Sequence, residues 1–138
     1  MKTLLDSNIL IYSLNEDSEL HDRSIEYLRK HDSYITLQNV SETYRSITSE
    51  KLFSNPFSPR NAIKAIDQII KILPVLYPSE ETYQILKKLI AKYKIKSYAV
   101  FDALIVAMMI EYNVDQIATN NDSHFRKYKE VSTLNPFK

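Results

Sequence analysis

The chain has 138 residues, of which 44% are hydrophobic and 25% charged, and its formal net charge is +1. These values are typical of a globular protein with one sizeable core, so we interpret residues 1–138 as a single domain. The absence of cysteine excludes disulfides and thiolate zinc sites and favours the cytoplasm, while the absence of glycine excludes glycine-rich phosphate loops and dinucleotide turns. No apolar run approaches the ~20 residues that a membrane span needs.

In the N-terminal half, short apolar runs alternate with helical patterns. The sequence predicts a strand at 3–5, helices at 9–14 and 20–30, a strand at 34–37 and a helix at 40–52. Ser7 or Asn8 is expected to cap the first helix, which leaves Asp6 free for another role. Asn39 is expected to cap the third helix, where Asn39 and Glu42 have the spacing of a capping box.

The C-terminal half continues the alternation. We expect helices starting at Ser58-Pro59 and at 78–81, a helix at 98–112, a helical turn at 123–128, and strands at 75–77, 117–119 and 131–134. Strands that alternate with helices predict a parallel sheet covered on both faces, with ligands bound at the carboxyl ends of the strands. The stretch 51–78 is a candidate dimer surface or substrate clamp.

Four isolated acids lie where apolar runs meet a turn or the start of a helix. They are Asp6, Glu42, Asp102 and Asp122. A lone carboxylate at the end of a buried strand is costly unless a cation or a hydrogen-bond donor compensates it. Four such acids at one sheet edge favour a hard divalent metal, and metal-bound acids indicate phosphodiester hydrolysis, with Thr119 or Ser7 available to orient a water.

Each acid also has a structural interpretation. Asp6 and Asp122 have the positions of turn or cap residues, and Glu42 is either a capping-box residue or the partner of Arg45. Asp102 is the most informative of the four, because it is the single charge in the segment AVFDALIVAMMI, at 99–110. A helix that is apolar all round is predicted to be buried, so Asp102 needs a metal or a distant Lys or Arg, unless it is an acid of the N-terminal turn of the helix.

The basic residues are less informative. His21, His31 and His124 do not have metal-ligand spacing, and we expect them at the surface, although His124 lies close enough in sequence to Asp122 to reach the site. The densest basic stretch consists of Lys87, Lys88, Lys92, Lys94 and Lys96. We interpret it as a solvated helix face, with a surface that tracks phosphates as the alternative.

The ordered set of acids resembles the motifs of PIN-domain nucleases. The segments that carry this resemblance are LLDSNIL (4–10), VSE (40–42), FDALIVA (101–107), ATNND (118–122) followed by Phe125, and the ending TLNPF (133–137). The resemblance covers nearly the whole chain. It implies a three-layer α/β/α sandwich with a five-stranded parallel sheet.

The resemblance also implies a function. It is that of an Mg²⁺- or Mn²⁺-dependent endoribonuclease that leaves a 5′-phosphate and a 3′-hydroxyl, with Asp6, Glu42, Asp102 and Asp122 as catalytic and metal-binding residues. Asn120 or Asn121 is an alternative to Asp122 as the fourth ligand. The length suggests the VapC group of toxins, which implies an RNA substrate, a small antitoxin partner and a homodimer.

Two other hypotheses remain open at the level of the sequence. One is a non-catalytic PIN-like module that binds RNA or protein without cutting. The other is a phosphoacceptor domain similar to response regulators, which needs an acceptor Asp at the end of a central strand. The candidate central strand at 75–77 leads instead to Pro78-Ser79, which disfavours this hypothesis.

Overall fold

The computed structural model describes residues 1–30 and 32–138, apart from the side chain of Lys30, so our expectation for His31 lies outside the described residues. The strands are β1 (Thr3–Leu5), β2 (Ser33–Thr36), β3 (Val75–Leu76), β4 (Gln116–Ala118) and β5 (Ser132–Leu134). The helices are α1 (Ser7–Ser13), α2 (His21–Lys30), α3 (Leu37–Ile47), α4 (Pro59–Ile70), α5 (Glu80–Tyr93), α6 (Ala99–Glu111) and α7 (Asp122–Phe125). Within these ranges no helix is long and apolar enough to cross a membrane.

The strands form one parallel sheet in the order β3-β2-β1-β4-β5. In the register, Leu4 of the central strand lies opposite Tyr34 on one side and Ile117 on the other. The five-stranded parallel sheet is therefore confirmed. The expectation that 75–77 is a central strand is wrong, because β3 lies at the edge of the sheet beside β2.

Two apolar layers cover the two faces of the sheet. Successive side chains of a strand point to opposite faces, so Leu4 and Leu5 belong to different layers. Leu4 packs with buried residues of α5 and α6, whereas Leu5 packs with residues of α1, α2 and α4. This arrangement confirms the three-layer α/β/α sandwich.

The ends of the helices differ from the sequence prediction at two points. Asp6 itself caps α1 by accepting a hydrogen bond from the Ser7 backbone, so the expected Ser7 or Asn8 cap is wrong. Thr36 caps α3 and forms a capping box with Asn39, so the box predicted between Asn39 and Glu42 is also wrong. Helix α3 starts earlier than expected because the polar residue that ends β2 already satisfies its first free N–H groups.

Three of the residues that the structure describes have a positive φ, in a chain that has no glycine. Lys94 at the end of α5, Ser97 in the loop to α6, and Asn113 after α6 have φ values of 52°, 55° and 57°. The left-handed conformation costs a residue with a Cβ roughly 1–2 kcal/mol. Two of the three lie in the short connection that leads into α6, which carries Asp102.

Candidate active site

The site lies where the three middle strands end. Asp6 follows β1, Thr36 ends β2, and Thr119 follows β4. The Asp6 backbone N–H donates to the carbonyl of Ala118 at 3.0 Å, which joins the end of the central strand to its neighbour. The carboxyl ends of adjacent parallel strands therefore bring these polar residues to one edge of the sheet, as predicted.

Asp6 is the most enclosed acid of the site, with 7% of its surface exposed. Its Oδ1 accepts from the Ser7 backbone N–H at 2.8 Å, and its Oδ2 accepts from the Thr119 hydroxyl at 2.7 Å. The pKa of Asp6 is raised to about 6, because the effect of burial and, to a smaller extent, of the negative charges of Glu42 and Asp102 exceeds the opposing effect of the two hydrogen bonds. Those charges act on Asp6 because all three carboxylates face the same region of the molecule.

Glu42 lies in the second turn of α3 and is held by a relay of polar side chains. The Ser7 hydroxyl donates to Glu42 Oε1 at 2.6 Å and accepts from the Asn39 side-chain amide at 2.9 Å. The amide of Gln38 donates to the other carboxylate oxygen at 3.4 Å. Glu42 is thus directed toward the strand ends by neutral donors, and among the described residues it has no ion pair with Arg45.

Asp102 lies in the first turn of α6 and is less buried than the sequence predicts. Its side chain is 33% exposed and the neighbouring Phe101 is 51% exposed, so the expectation of a helix buried on all sides is wrong. Burial still raises the pKa of Asp102, the charge of His124 lowers it, that of Glu42 raises it and that of Lys127 lowers it. The apolar composition of α6 is explained by its inner face, where 103 and 105–109 are buried in the core.

The contact between Asp102 and His124 is the feature that sequence reasoning weighted too low. His124 Nδ1 lies 3.5 Å from Asp102 Oδ2, although the two residues belong to different helices. The available signal was the position of His124 in α7, directly after the loop that follows β4 and next to the buried Phe125.

Asp122 is buried but occupies a separate polar network. Its carboxylate accepts from the Asn135 amide at 3.1 Å and from the Lys138 ammonium at 3.4 Å, and it forms an ion pair with Arg126. The hydrogen bond from Asn135 is the main reason why the pKa of Asp122 lies below its ordinary value. The structure thus brings Asp6, Glu42 and Asp102 into mutual electrostatic contact and directs Asp122 toward the C-terminal segment.

The two asparagines that were considered as substitutes for Asp122 support the loop after β4. The Asn120 backbone N–H donates to Asn8 Oδ1 at 3.2 Å, and its side chain donates to the Tyr12 hydroxyl at 3.0 Å. The Asn121 backbone N–H donates to the Thr119 hydroxyl at 2.9 Å. These contacts hold Thr119 in place beside Asp6.

The donor set of the site suits a hard divalent cation. It offers carboxylate and hydroxyl oxygens, which are the ligands that Mg²⁺ and Mn²⁺ prefer, and no described basic side chain forms an ion pair with Asp6. The raised pKa of Asp6 shows that its charge is poorly compensated by the protein alone. No three acidic or histidine side chains within 1–30 and 32–138 are already close enough to form a complete ligand cage.

Comparison with known proteins identifies the family. The sequence model of the PIN domain matches residues 3–131, so the chain belongs to the PIN-domain family. A comparison with curated protein sequences finds no match. The resemblance to this family that the sequence indicated is therefore confirmed.

Three solved structures illustrate the fold that this chain shares with known proteins. FitAcB from Neisseria gonorrhoeae has a TM-score of 0.70 at 19% identity over 98% of both chains. VapBC-1 from nontypeable Haemophilus influenzae has 0.71 at 19% identity over 100% of both. VapC20 from Mycobacterium tuberculosis, a toxin that cleaves the sarcin-ricin loop, has 0.68 at 14% identity over 94% of this chain and 98% of its own.

Family membership also decides against the phosphoacceptor hypothesis. The sequence argument against it depended on 75–77 as the central strand, whereas the central strand is β1 and an acid does follow it. The match to the PIN family over 3–131 replaces that argument.

Proposed function

We propose that this protein is a metal-dependent endoribonuclease and the toxin of a toxin–antitoxin pair in the cytoplasm. The observation that carries the proposal is the shared electrostatic field of Asp6, Glu42 and Asp102, three acids from separate elements that raise one another's cost of ionisation. Repulsion among three carboxylates destabilises the folded protein, and a bound cation would offset it. A bound Mg²⁺ or Mn²⁺ would activate water and stabilise charge on the phosphoryl group.

The residues of the chain have distinct roles in this proposal. Asp6 and Asp102 hold the ion, and Glu42 completes the acidic pocket, with its orientation set by Ser7 and Gln38. Thr119 keeps Asp6 oriented and favours its charged form. Asp122 stays a predicted fourth ligand, and taking that role requires it to leave its cationic partners.

The test of catalysis is Asp102→Asn, which keeps the size of the side chain and removes its charge. We expect cleavage of a single-stranded RNA in Mg²⁺ to fall by at least about a hundredfold, the loss expected when one main source of transition-state charge stabilisation is removed. The matched control is Asp115→Asn, since Asp115 is an exposed acid that precedes β4, at the opposite edge of the sheet. Full activity of Asp102→Asn would refute the proposal.

The proposed partner is a small antitoxin, as in a toxin–antitoxin complex from Klebsiella pneumoniae that shares the fold. Support comes from an apolar groove between α3 and α4, lined by Val40, Tyr44, Ile63, Ile66 and Ile70. Ile63 and Ile70 are 55% and 38% exposed there, so the groove presents apolar area to the solvent. Induced expression of the chain should arrest growth, whereas expression of Asp102→Asn should not. Co-expressed antitoxin should protect cells from the parent protein but not from Ile63→Arg.

The second candidate function is a PIN-like module that binds RNA without cutting it. The absence of a complete ligand cage among the described residues favours this alternative, because a metal has to draw the carboxylates together. Calorimetric titration with Mn²⁺ separates the two, since the nuclease proposal requires binding that is lost in Asp6→Asn.

We also expect a homodimer, which light scattering would detect as roughly twice the 16.2 kDa protomer mass.

A further inference from the structure

Two aromatic side chains are exposed beside the acidic site. Tyr98, which precedes α6, is 84% exposed, and Phe101 in its first turn is 51% exposed. Their ring centroids lie 6.5 Å apart with the planes tilted by 36°. Exposure of two neighbouring aromatic rings leaves apolar area in water that neither ring can bury against the rest of the protein.

Tyr98 borders the acidic site directly, and Phe101 lies beside Tyr98 in the first turn of α6. A cavity of about 340 Å³ is lined by Tyr98, Ala99, Asp102, Ser123, His124 and Lys127. Asp102 is thus shared between this cavity and the carboxylate cluster. The Phe101 carbonyl accepts from the Gln38 amide at 3.1 Å, and the same amide reaches Glu42, so Phe101 is tied to the cluster from its other side.

The opposite wall of the cavity is basic. Lys127 is exposed and its charge lowers the pKa of Asp102, which places the ammonium within electrostatic range of the site. His124 lies on the same wall, 3.5 Å from Asp102. The aromatic wall suits a flat nucleobase, and the basic wall suits a phosphate of the backbone. The carboxylate edge lies where the reacting phosphate would bind.

We propose that the aromatic pair Tyr98–Phe101 stacks on an unpaired base of the substrate next to the cleaved phosphate, while Lys127 contacts a neighbouring phosphate. This inference deepens the proposed function and rests on it for the identity of the reacting phosphate. Stacking tolerates any base, because every base has a π face, but it requires the base to be unpaired. The cavity therefore selects single-stranded over duplex RNA and does not by itself read sequence.

The geometry of the loop before α6 supports this role for Tyr98. Ser97 adopts a left-handed conformation, and Lys94 does so three residues earlier, so the chain turns sharply twice before Tyr98. Such conformations are costly outside glycine and concentrate at functional positions. The two turns present the Tyr98 ring to solvent at the start of α6 rather than folding it onto the core.

The test uses the absence of tryptophan from the chain. Tyr98→Trp introduces a single indole, whose fluorescence is quenched when a nucleobase stacks on it. The titration is carried out in the Asp6→Asn background so that a 12-nucleotide single-stranded RNA stays intact. We expect saturable quenching by this RNA and much weaker quenching by the same RNA annealed to its complement.

The matched control is Tyr83→Trp, at a second exposed tyrosine. Tyr83 is 59% exposed and lies in α5 beside Thr82, whose hydroxyl contacts Glu111 at the far end of α6 from Asp102. Its indole should not be quenched. Independently, Tyr98→Ala should weaken binding of the RNA about tenfold, in line with loss of one stacked base, while Tyr98→Phe keeps parental affinity.

The outcomes separate this inference from the proposed function. RNA cleavage by the parent protein without quenching at Tyr98→Trp would overturn the stacking role and leave the nuclease intact. Quenching with no cleavage by the parent protein would support stacking and overturn the nuclease. Conversion of a dimer to a monomer by Tyr98→Ala, measured by light scattering, would assign the aromatic pair to a protein interface and overturn the inference.

Discussion

The Thr119 hydroxyl donates a 2.7 Å hydrogen bond to Asp6 Oδ2 across the ends of β4 and β1. This bond is the largest of the contributions that lower the pKa of Asp6, and it opposes the effect of burial. The same hydroxyl accepts from the Asn121 backbone and the Asn8 side chain, which fixes its direction. The most enclosed acid of the site is therefore kept ionisable by a neutral residue 113 positions away in sequence.

Replacement of Thr119 by Val tests this relationship. Val has the same shape but no donor, and a hydrogen bond to a charged group contributes about 1.5–3 kcal/mol. We expect the pKa of Asp6 to rise by about one unit, measured in the metal-free protein by NMR titration of the side-chain carboxyl carbon. Thr119→Ser, which restores the donor, should return the pKa to its parental value, and an unchanged pKa in Thr119→Val would contradict the assignment.

The raised pKa of Asp6 also predicts how stability depends on pH. Its value is 3.8 in an unperturbed chain and about 6 in the folded protein, so between these pH values the folded state binds more protons than the unfolded state. The free energy of unfolding should therefore fall as pH rises from 4 to 7, by about 2 kcal/mol from this group. Urea unfolding in EDTA measures the change.

Asp6→Asn is the matched variant for the pH experiment, since it cannot titrate and its side-chain oxygen can still cap α1. Its stability should be much flatter than that of the parent over the same range. An identical pH dependence in the two proteins would show that other groups are responsible.

Asp122 should behave in the opposite way. Its pKa lies below the ordinary value, mainly because of the Asn135 hydrogen bond, so its contribution to stability is present at pH 7 and is lost as pH falls through the lowered pKa. Asp122→Asn should lower the thermal midpoint at pH 7 and differ little from the parent near pH 2. Its effect on cleavage should be smaller than that of Asp102→Asn, and an equal loss of cleavage with an unchanged thermal midpoint would instead establish Asp122 as a ligand.

Lys94 offers a prediction about stability that is independent of the site. It ends α5 with φ of 52° and ψ of 49°, a conformation that glycine adopts without steric cost. Lys94→Gly should raise the free energy of unfolding by about 0.5–1 kcal/mol, because relief of the strain exceeds the added entropy of the unfolded chain. Lys88→Gly, on the exposed face in the middle of α5, should instead destabilise by about 1 kcal/mol. Urea unfolding of both variants tests the pair, and destabilisation by Lys94→Gly would contradict the strain.

Much of the fold could be predicted because its causes are local. The alternation of short apolar runs with helical patterns predicted the order of strands and helices, and the segments Ser58-Pro59 and 78–81 marked two helix starts correctly. Errors occurred where two nearby polar residues competed for one role. Thr36 caps α3 in place of Asn39, and Asp6 caps α1 in place of Ser7, because each lies at the strand-to-helix junction and precedes the predicted residue in the chain.

The α/β class and the positions of the four acids relative to apolar runs could be predicted from the sequence, since each depends on residues close together in the chain. Which acids face one another could not, because that depends on how distant elements pack. The surroundings of Asp122, Asp102 and Asp6 depend on Lys138, His124 and Thr119, which reach them from other elements or from the C-terminus. The hydrophobic periodicity of a helix or strand predicts which of its faces is buried. The charged and polar groups that surround a side chain are determined only when the elements pack.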